Sequence, residues 1–152
     1  MFRDVILSDK EIFLTMAETF YSSSAVLHCI DRKNFEAAFA LAINKSPFVR
    51  LLMIESDEND ENDEKIPIGY AQISFTYSME AGGMVALVED VYIDPANRGG
   101  GYGGKLLGFL EKEYPDFKRF RLEVMGNNEK AIGLFEKCGY KLLDYRQMVK
   151  DF

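Results

Sequence analysis

The amino-acid sequence predicts an α/β domain in which helices cover both faces of a mixed β-sheet. Segments with strand spacing and segments with helix spacing follow one another in the order β-α-α-β-β-β-α-β-α-β. A glycine-rich stretch at 98–105 also joins an apolar run to an amphipathic run, which is typical of a strand–loop–helix unit. The chain has 152 residues, which suffice for one domain over 1–152 with a sizeable core.

Composition narrows the class of protein. The chain is 47% hydrophobic and 28% charged, as expected for a soluble globular domain. A net charge of −7 argues against a general nucleic-acid-binding protein, which needs a basic face, and is compatible with cationic small molecules. Two cysteines are too few for a disulfide framework. The first residues lack a signal-peptide pattern and no apolar run approaches the ~20 residues of a membrane span, so we expect a cytoplasmic protein without membrane contacts.

The first half of the chain predicts one strand, two helices and a second strand. We expect the strand at 2–7, and a capping box of Ser8 and Glu11 that opens a helix reaching Phe20. A second helix starts near Asp31 and ends before Pro47, because the residue before proline disfavours helix. A strand at 48–55 follows.

The middle of the chain predicts a hairpin after an acidic loop. The run at 56–65 is almost entirely Asp, Glu and Asn, which indicates a solvated loop. A metal site is the alternative, although the run lacks the central glycine and spaced glutamate of an EF-hand. The alternating segment 68–78, the turn residues at 80–83 and the segment 84–93 predict two antiparallel strands.

The last third predicts two helices separated by a strand. A helix at 104–114 ends at Pro115, and a strand follows at 118–124. Asn128 caps a second helix that ends at Gly139. One or two closing strands are expected within 140–149.

The glycine loop fits three phosphate-binding patterns. Gly99, Gly101 and Gly104 satisfy the dinucleotide motif G-x-G-x-x-G, but that motif directly follows its strand, and here 94–98 intervene. The segment 99–105 also satisfies G-x-x-x-x-G-K, yet Leu106 stands where a P-loop needs Ser or Thr to hold Mg²⁺. A nucleoside-triphosphate enzyme is therefore disfavoured.

The third pattern, R-x-x-G-x-G, is met by Arg98, Gly101 and Gly103. Together with the preceding run 88–95 and the downstream segment 128–140, it resembles the acetyl-CoA-binding region of the GNAT superfamily of N-acetyltransferases. The resemblance covers about the last half of the chain. It implies a GNAT-like, mostly antiparallel sheet with splayed strands at the cofactor site.

The resemblance also implies a binding site for acetyl-CoA as co-substrate, with no metal. Loop backbone groups would bind the pyrophosphate, and Arg98 would lie against phosphate charge. The end of the preceding strand would hydrogen-bond the pantetheine arm. Asn128 either contacts the cofactor or simply caps its helix. The implied cofactor-binding residues are Val91, Tyr92, Ile93, Arg98, Gly99, Gly100, Gly101, Tyr102, Gly103, Gly104, Asn128 and Phe135.

The implied reaction is direct attack of an amine on the thioester in a ternary complex. A lysine-like amine has a pKa of about 10.4, so a base must remove its proton near neutral pH. Glu89 and Asp90 are the candidate catalytic residues, and we favour Glu89 because its position resembles a recurrent GNAT general base. Adjacent strand residues point to opposite faces, so only one carboxylate faces the site unless the strand bulges. Alternatively, both are paired with Arg or Lys.

Phe135 departs from the family pattern, because a tyrosine that protonates the departing thiolate usually stands there. Without that tyrosine, the departing thiolate takes its proton from solvent or from one of three other groups, Tyr140, Tyr102 or Cys138. Otherwise the protein binds acyl-CoA without efficient turnover. A non-catalytic acyl-CoA sensor is therefore the alternative function.

The acceptor is the least determined part of the prediction. The run Val88-Glu89-Asp90 and the acidic composition resemble the polyamine acetyltransferase branch, so we expect a small cationic amine, with a peptide amine as the other class. His28 either lines the acceptor site or is a surface or packed histidine. A homodimer is compatible with the resemblance.

Overall fold

A computed structural model describes residues 1–23, 26 and 30–151. Within these ranges one five-stranded sheet has the order β1-β2-β3-β4-β5. The first four strands are antiparallel to their neighbours, and β5 is parallel to β4 because a helix crosses over between them. The mixed, mostly antiparallel sheet is therefore confirmed. The strands are β1 (Phe2–Asp4), β2 (Val49–Asn59), β3 (Lys65–Ser78), β4 (Gly83–Ile93) and β5 (Arg119–Leu122).

Helices lie on both faces of this sheet, as predicted. One buried cluster joins the first two helices to the sheet and contains Phe13, Phe39 and Tyr70. A second cluster, with Ile73, Leu106 and others, joins the third and fourth helices to the opposite face. The helices are α1 (Lys10–Tyr21), α2 (Arg32–Ile43), α3 (Tyr102–Glu113) and α4 (Glu129–Lys137).

The start of α1 differs from the prediction. A 3₁₀ turn, Leu7–Asp9, precedes the helix, so the capping box of Ser8 and Glu11 is not formed. The Asp9 carboxylate instead accepts a hydrogen bond from the Ile6 N–H at 2.8 Å and forms an ion pair with Nη1 of Arg3 at 2.6 Å. A buried carboxylate with a cationic partner therefore organises this entry to the helix.

Half of the acidic run is strand, which corrects the bounds of the loop predicted at 56–65, although residues 57–64 are exposed. Strand β2 continues to Asn59 and β3 begins at Lys65, so only residues 60–64 form the turn. The Asp60 carboxylate accepts backbone hydrogen bonds from Asn62 and Glu64, at 2.8 and 2.9 Å. These hydrogen bonds from the Asp60 side chain stabilise the tight turn, although the charged residues around it are exposed. The described residues contain no group of three or more His, Cys, Asp or Glu side chains placed to hold a metal ion.

The predicted closing strands are wrong. Residues 140–151 form neither helix nor strand, and several large apolar side chains there are exposed: Leu142, Leu143, Tyr145, Met148 and Val149. A strand needs a partner edge as well as a suitable pattern, and β5 has only four residues. Among the described residues, no helix has the length and apolar character needed to cross a membrane.

Candidate active site

The edge of β4 that faces β5 is unpaired beyond Val88. The parallel ladder joins 85–88 to Arg119–Leu122 and then stops, whereas β4 continues to Ile93. The N–H and C=O groups along this edge at 89–93 therefore have no partner on β5. An unpaired edge of this kind can hydrogen-bond an extended ligand. The divergence agrees with the splayed strands that the resemblance implied.

A β-bulge at Glu89 decides where the two candidate carboxylates lie. On the other edge of β4, Val88 pairs with Ile73 and Asp90 pairs with Gln72, so Glu89 is an extra residue. Regular alternation would turn Val88 and Asp90 to the same face. Instead Val88 packs in the cluster beside α3, and Asp90 contacts Tyr21 of α1. Glu89 is exposed, whereas Asp90 is 8% exposed.

Asp90 is a buried carboxylate whose described neighbours are phenols. The Tyr21 hydroxyl donates to both Asp90 oxygens, at 2.9 and 3.0 Å. Burial raises the pKa of Asp90 to about 6, the Tyr21 hydrogen bond opposes that rise, and the nearby charge of Glu89 adds to it. In the described part of the chain, neither Glu89 nor Asp90 forms an ion pair with Arg or Lys. The alternative in which both are paired is therefore not observed.

We expect Asp90→Asn to stabilise the folded protein at neutral pH. The native pKa of about 6 lies above the ordinary value of 3.8, so the native state binds more protons than the unfolded state between these pH values. The contribution of this group to stability is therefore fully present below about pH 4 and is lost as pH rises through 6, by about 3 kcal/mol. The neutral amide avoids that cost.

Urea unfolding of both proteins at pH 7.5 and pH 4 measures this effect. The difference in unfolding free energy between variant and wild type should be about 3 kcal/mol at pH 7.5 and near zero at pH 4. Equal stabilities at pH 7.5 would contradict the burial of a charged Asp90.

The glycine loop links the free edge of β4 to the first turn of α3. A 3₁₀ turn, Pro95–Asn97, follows β4, and Gly101 is the N-cap residue of α3. Gly99 and Gly101 have φ of +90° and +76°, a region that side chains with a Cβ rarely adopt. Open space surrounds both positions. The first N–H groups of a helix lack acceptors within the helix and favour an anion.

Arg98 and Lys105 flank this loop with different partners. Nε of Arg98 donates to the Ile93 carbonyl at 3.0 Å, so the guanidinium lies beside the end of β4. Nζ of Lys105 pairs with Asp57 at 2.8 Å and lies 4.9 Å from the Tyr102 ring centroid. Lys105 is thus held by the β2 end of the acidic hairpin, unlike the phosphate-bound lysine of a P-loop.

Close packing between α3 and α4 explains one further glycine, because a Cβ on Gly103 would lie 2.9 Å from Leu134 Cδ2. A Cβ on Gly104 would make only ordinary van der Waals contacts, at 3.7 Å from Leu134 Cδ1 and 4.0 Å from Cys138 Sγ. Gly100 is limited locally, because its Cβ would lie 2.7 Å from the Tyr102 ring. Gly103 therefore also serves packing.

Helix α4 contributes the remaining predicted residues. The Asn128 side chain accepts from the Ala131 N–H at 3.2 Å, so it caps the helix while its amide nitrogen stays available as a donor. Phe135 is half-buried and packs against the Tyr140 ring, with centroids 6.2 Å apart. It adjoins the apolar cluster that includes Val88.

The three possible replacements for the family's tyrosine lie in different surroundings. The Tyr102 hydroxyl accepts from the Asp57 N–H at 3.3 Å, at the end of β2. Burial raises the pKa of Tyr140 to about 12, and the charges of Glu111 and Cys138 add to this, while its ring lies beside Phe135. Cys138 lies beside Gly104. His28 falls outside the described residues.

Comparison with known proteins agrees with this geometry. The family model described as the acetyltransferase (GNAT) family matches residues 16–140. Thialysine N-epsilon-acetyltransferase of Sus scrofa is 32% identical over 107 residues, which are 68% of this chain and 62% of that protein. The chain thus spans about 62% of the length of this curated relative.

Two solved structures share the fold. A possible acetyltransferase from Clostridium difficile 630 has a TM-score of 0.77 at 13% identity, covering 100% of this chain and 97% of that one. The protein AAC(6')-Iy, in complex with the bisubstrate analogue CoA-S-monomethyl-acetylneamine, has a TM-score of 0.76 at 11% identity with the same coverage. Because the family model spans most of the chain, from within α1 to beyond the end of α4, this protein belongs to the GNAT family of acetyltransferases.

Proposed function

We propose that this protein transfers an acetyl group from acetyl-CoA to the primary amine of a small cationic acceptor. One observation carries the proposal: the free edge of β4 runs from the two carboxylates to a single 3₁₀ turn, which leads into the glycine loop at the start of α3. A thioester on that edge and a pyrophosphate at the loop would therefore belong to one extended ligand. The name of the thialysine N-epsilon-acetyltransferases, which describes transfer to an amine nitrogen, supports the choice of an amine acceptor.

The loop fits the cofactor's phosphates in two respects. Its left-handed glycines have open space where side chains would otherwise stand, and its helix N-terminus offers unpaired N–H groups. Arg98 adds positive charge at the strand end. The pantetheine arm would hydrogen-bond the backbone of Val91, Tyr92 and Ile93, with Asn128 and Phe135 beside it on α4. The proposed reaction requires no metal.

The amine attacks the thioester carbonyl carbon directly, and the C–S bond breaks as coenzyme A leaves as a thiolate. Because an amine with pKa about 10.4 is protonated in all but about one molecule in a thousand near neutral pH, a base must first accept its proton. Glu89 is the exposed carboxylate on the bulge and accepts that proton through water. Phe135 has no proton to donate, so solvent protonates the thiolate, whose conjugate thiol is fairly acidic.

A panel of amines with acetyl-CoA tests the proposal. Thiol release and mass spectrometry should detect acetylated products from short diamines and other cationic primary amines. Acetylation of neutral or acidic amino compounds alone would overturn the assigned acceptor class.

The second candidate is a non-catalytic acyl-CoA sensor, which Phe135 favours because it removes the usual proton donor. Thermal shift with acetyl-CoA, combined with the thiol-release assay, separates the two functions. A shift without thiol release over the whole amine panel would favour the sensor.

A further inference from the structure

A cavity of about 170 Å³ lies between α1, α2 and the sheet. Its apolar wall includes the rings of Phe13 and Phe35, and its polar wall includes Tyr70, Gln72 and Asp90. The space exceeds what a single water molecule needs and suits a short alkylammonium group. The cavity adjoins one of the two carboxylates of the candidate site.

The Tyr70 hydroxyl is a second buried polar group in this cavity. Tyr70 is 1% exposed and lines the cavity, and its hydroxyl lies beside Asp90 without a well-aligned hydrogen-bond partner among the described residues. Leaving such a group unpaired in the interior costs about 1–3 kcal/mol. A ligand in the cavity that hydrogen-bonds this oxygen would remove that cost.

The Asp90 carboxylate lacks a cationic partner among the described residues that line the cavity. Asp90 is a buried carboxylate, and no Arg or Lys is among the described residues that line the space. Buried charges in proteins are usually paired. The Tyr21 hydroxyl donates to both Asp90 oxygens but carries no charge to neutralise them. The chemistry that completes this arrangement is a cation with N–H donors, enclosed by aromatic rings.

We propose that this cavity binds the second ammonium group of a diamine acceptor, with Asp90 as its counter-ion and the Tyr70 hydroxyl as an additional acceptor. This inference rests on the proposed function, in which the other nitrogen of the same molecule receives the acetyl group. Asp90 is then a specificity-determining residue, and Glu89 remains the base.

The position of the cavity fits a short diamine. Tyr70 and Gln72 belong to β3, whereas the free edge of β4 faces away from β3 toward β5. The cavity thus lies over β3 and β4 on the face of the sheet covered by α1 and α2, about one strand spacing from the unpaired edge of β4, since neighbouring strands are about 4.8 Å apart. Two nitrogens separated by one to two strand spacings match a chain of a few methylene groups.

Equilibrium binding tests the inference without relying on turnover. Butane-1,4-diamine and butan-1-amine are titrated by calorimetry into the protein saturated with coenzyme A, which has no acetyl group to transfer. We expect the diamine to bind at least tenfold more tightly than the monoamine. Asp90→Asn should reduce diamine affinity at least tenfold, and Tyr70→Phe should reduce it severalfold.

Two matched variants control for charge and for hydroxyl removal. Asp116→Asn removes an exposed carboxylate before β5, and Tyr77→Phe removes the hydroxyl of a tyrosine that is 66% exposed on β3. Both should retain wild-type affinity for the diamine. Equal affinity of the wild type for the two amines, no detectable diamine binding, or full diamine affinity in Asp90→Asn would each overturn the inference.

The amine panel separates this inference from the proposed function. Acetyl transfer without an Asp90-dependent preference for diamines would remove the cavity's role and leave the acetyltransferase assignment intact. Diamine binding that depends on Asp90 and Tyr70, without acetyl transfer to any amine, would support the cavity and overturn the proposed activity.

Discussion

Gly101→Val is expected to weaken acetyl-CoA binding about 100-fold while the protein stays folded. Gly101 has φ of +76° at the start of α3, and a β-branched residue avoids that region. The variant relieves the strain by rotating the loop, so the N–H groups at the helix start turn away from the phosphates. Restoring the binding conformation costs about 1–3 kcal/mol, and 2.7 kcal/mol corresponds to 100-fold. Titration calorimetry with acetyl-CoA measures the loss, and circular dichroism checks the fold.

Gly108→Ala is the matched control for this loop variant. Gly108 lies within α3, its φ is not positive, and no atom lies within 4 Å of the Cβ that alanine adds. Alanine stabilises a helix interior by about 0.5–1 kcal/mol relative to glycine. This control should therefore keep full affinity with a raised melting temperature. Wild-type affinity in Gly101→Val would contradict the phosphate cradle.

Gly103→Val is a poorer test of the same loop. A Cβ there would lie 2.9 Å from Leu134, so valine would push α4 away from α3 as well as alter the loop. Loss of acetyl-CoA binding in Gly103→Val would then reflect either the altered loop or the displaced α4. Gly101, which has no such contact with α4, is therefore the better position for testing the cofactor site.

Glu89→Gln is expected to lower kcat about 100-fold and to leave acetyl-CoA affinity unchanged. General-base catalysis by a positioned side chain typically contributes 10²–10⁴-fold, and glutamine has the same shape but cannot accept the proton. The defect should shrink as pH approaches the pKa of the acceptor amine, because the free amine then forms without a protein base. Steady-state kinetics across pH and calorimetry with acetyl-CoA measure the two quantities.

Glu61→Gln controls for the lost charge, since Glu61 is exposed in the turn of the acidic hairpin. It should retain the wild-type pH–rate profile. If Glu89→Gln also retains that profile, Glu89 is not the base. Asp90 would then be the remaining carboxylate on the bulge.

The stability cost of Asp90 bears on both assignments. A carboxylate that is expected to lower stability by about 3 kcal/mol at neutral pH is unfavourable in the protein interior unless its charge serves function. The bulge gives Glu89 and Asp90 different surroundings: one is exposed, and the other lies within the α1 side of the core. Different roles for the two carboxylates follow naturally from that difference.

Local patterns predicted much of the secondary structure. Periodicity and turn residues predicted α2 beginning after Asp31, the β3–β4 hairpin and α4 capped by Asn128, and the structure confirms these elements. Those signals are local, because a cap or a turn depends on residues only a few positions apart. Position 101 requires glycine because its φ is positive, and the sequence motif already placed a glycine there.

The errors in the predicted strands arose where strand formation depends on pairing between distant segments. The segment 140–149 contains several apolar residues but pairs with no strand of the described chain. Strand β2 extends into the acidic run as far as Asn59, which pairs with Lys65 of β3. Alternation records which side chains can face a core, whereas strand formation also requires a neighbour's backbone.

By itself, the sequence determined the family, the order of most elements and the loop that suits a pyrophosphate. Only the tertiary structure showed that β4 bulges at Glu89, that Asp90 therefore turns toward α1, and that the unpaired Tyr70 hydroxyl shares its cavity. The physical reason is that a bulge reverses the facing of every residue beyond it on the strand. Its position depends on the register with β3, which no local pattern in β4 specifies.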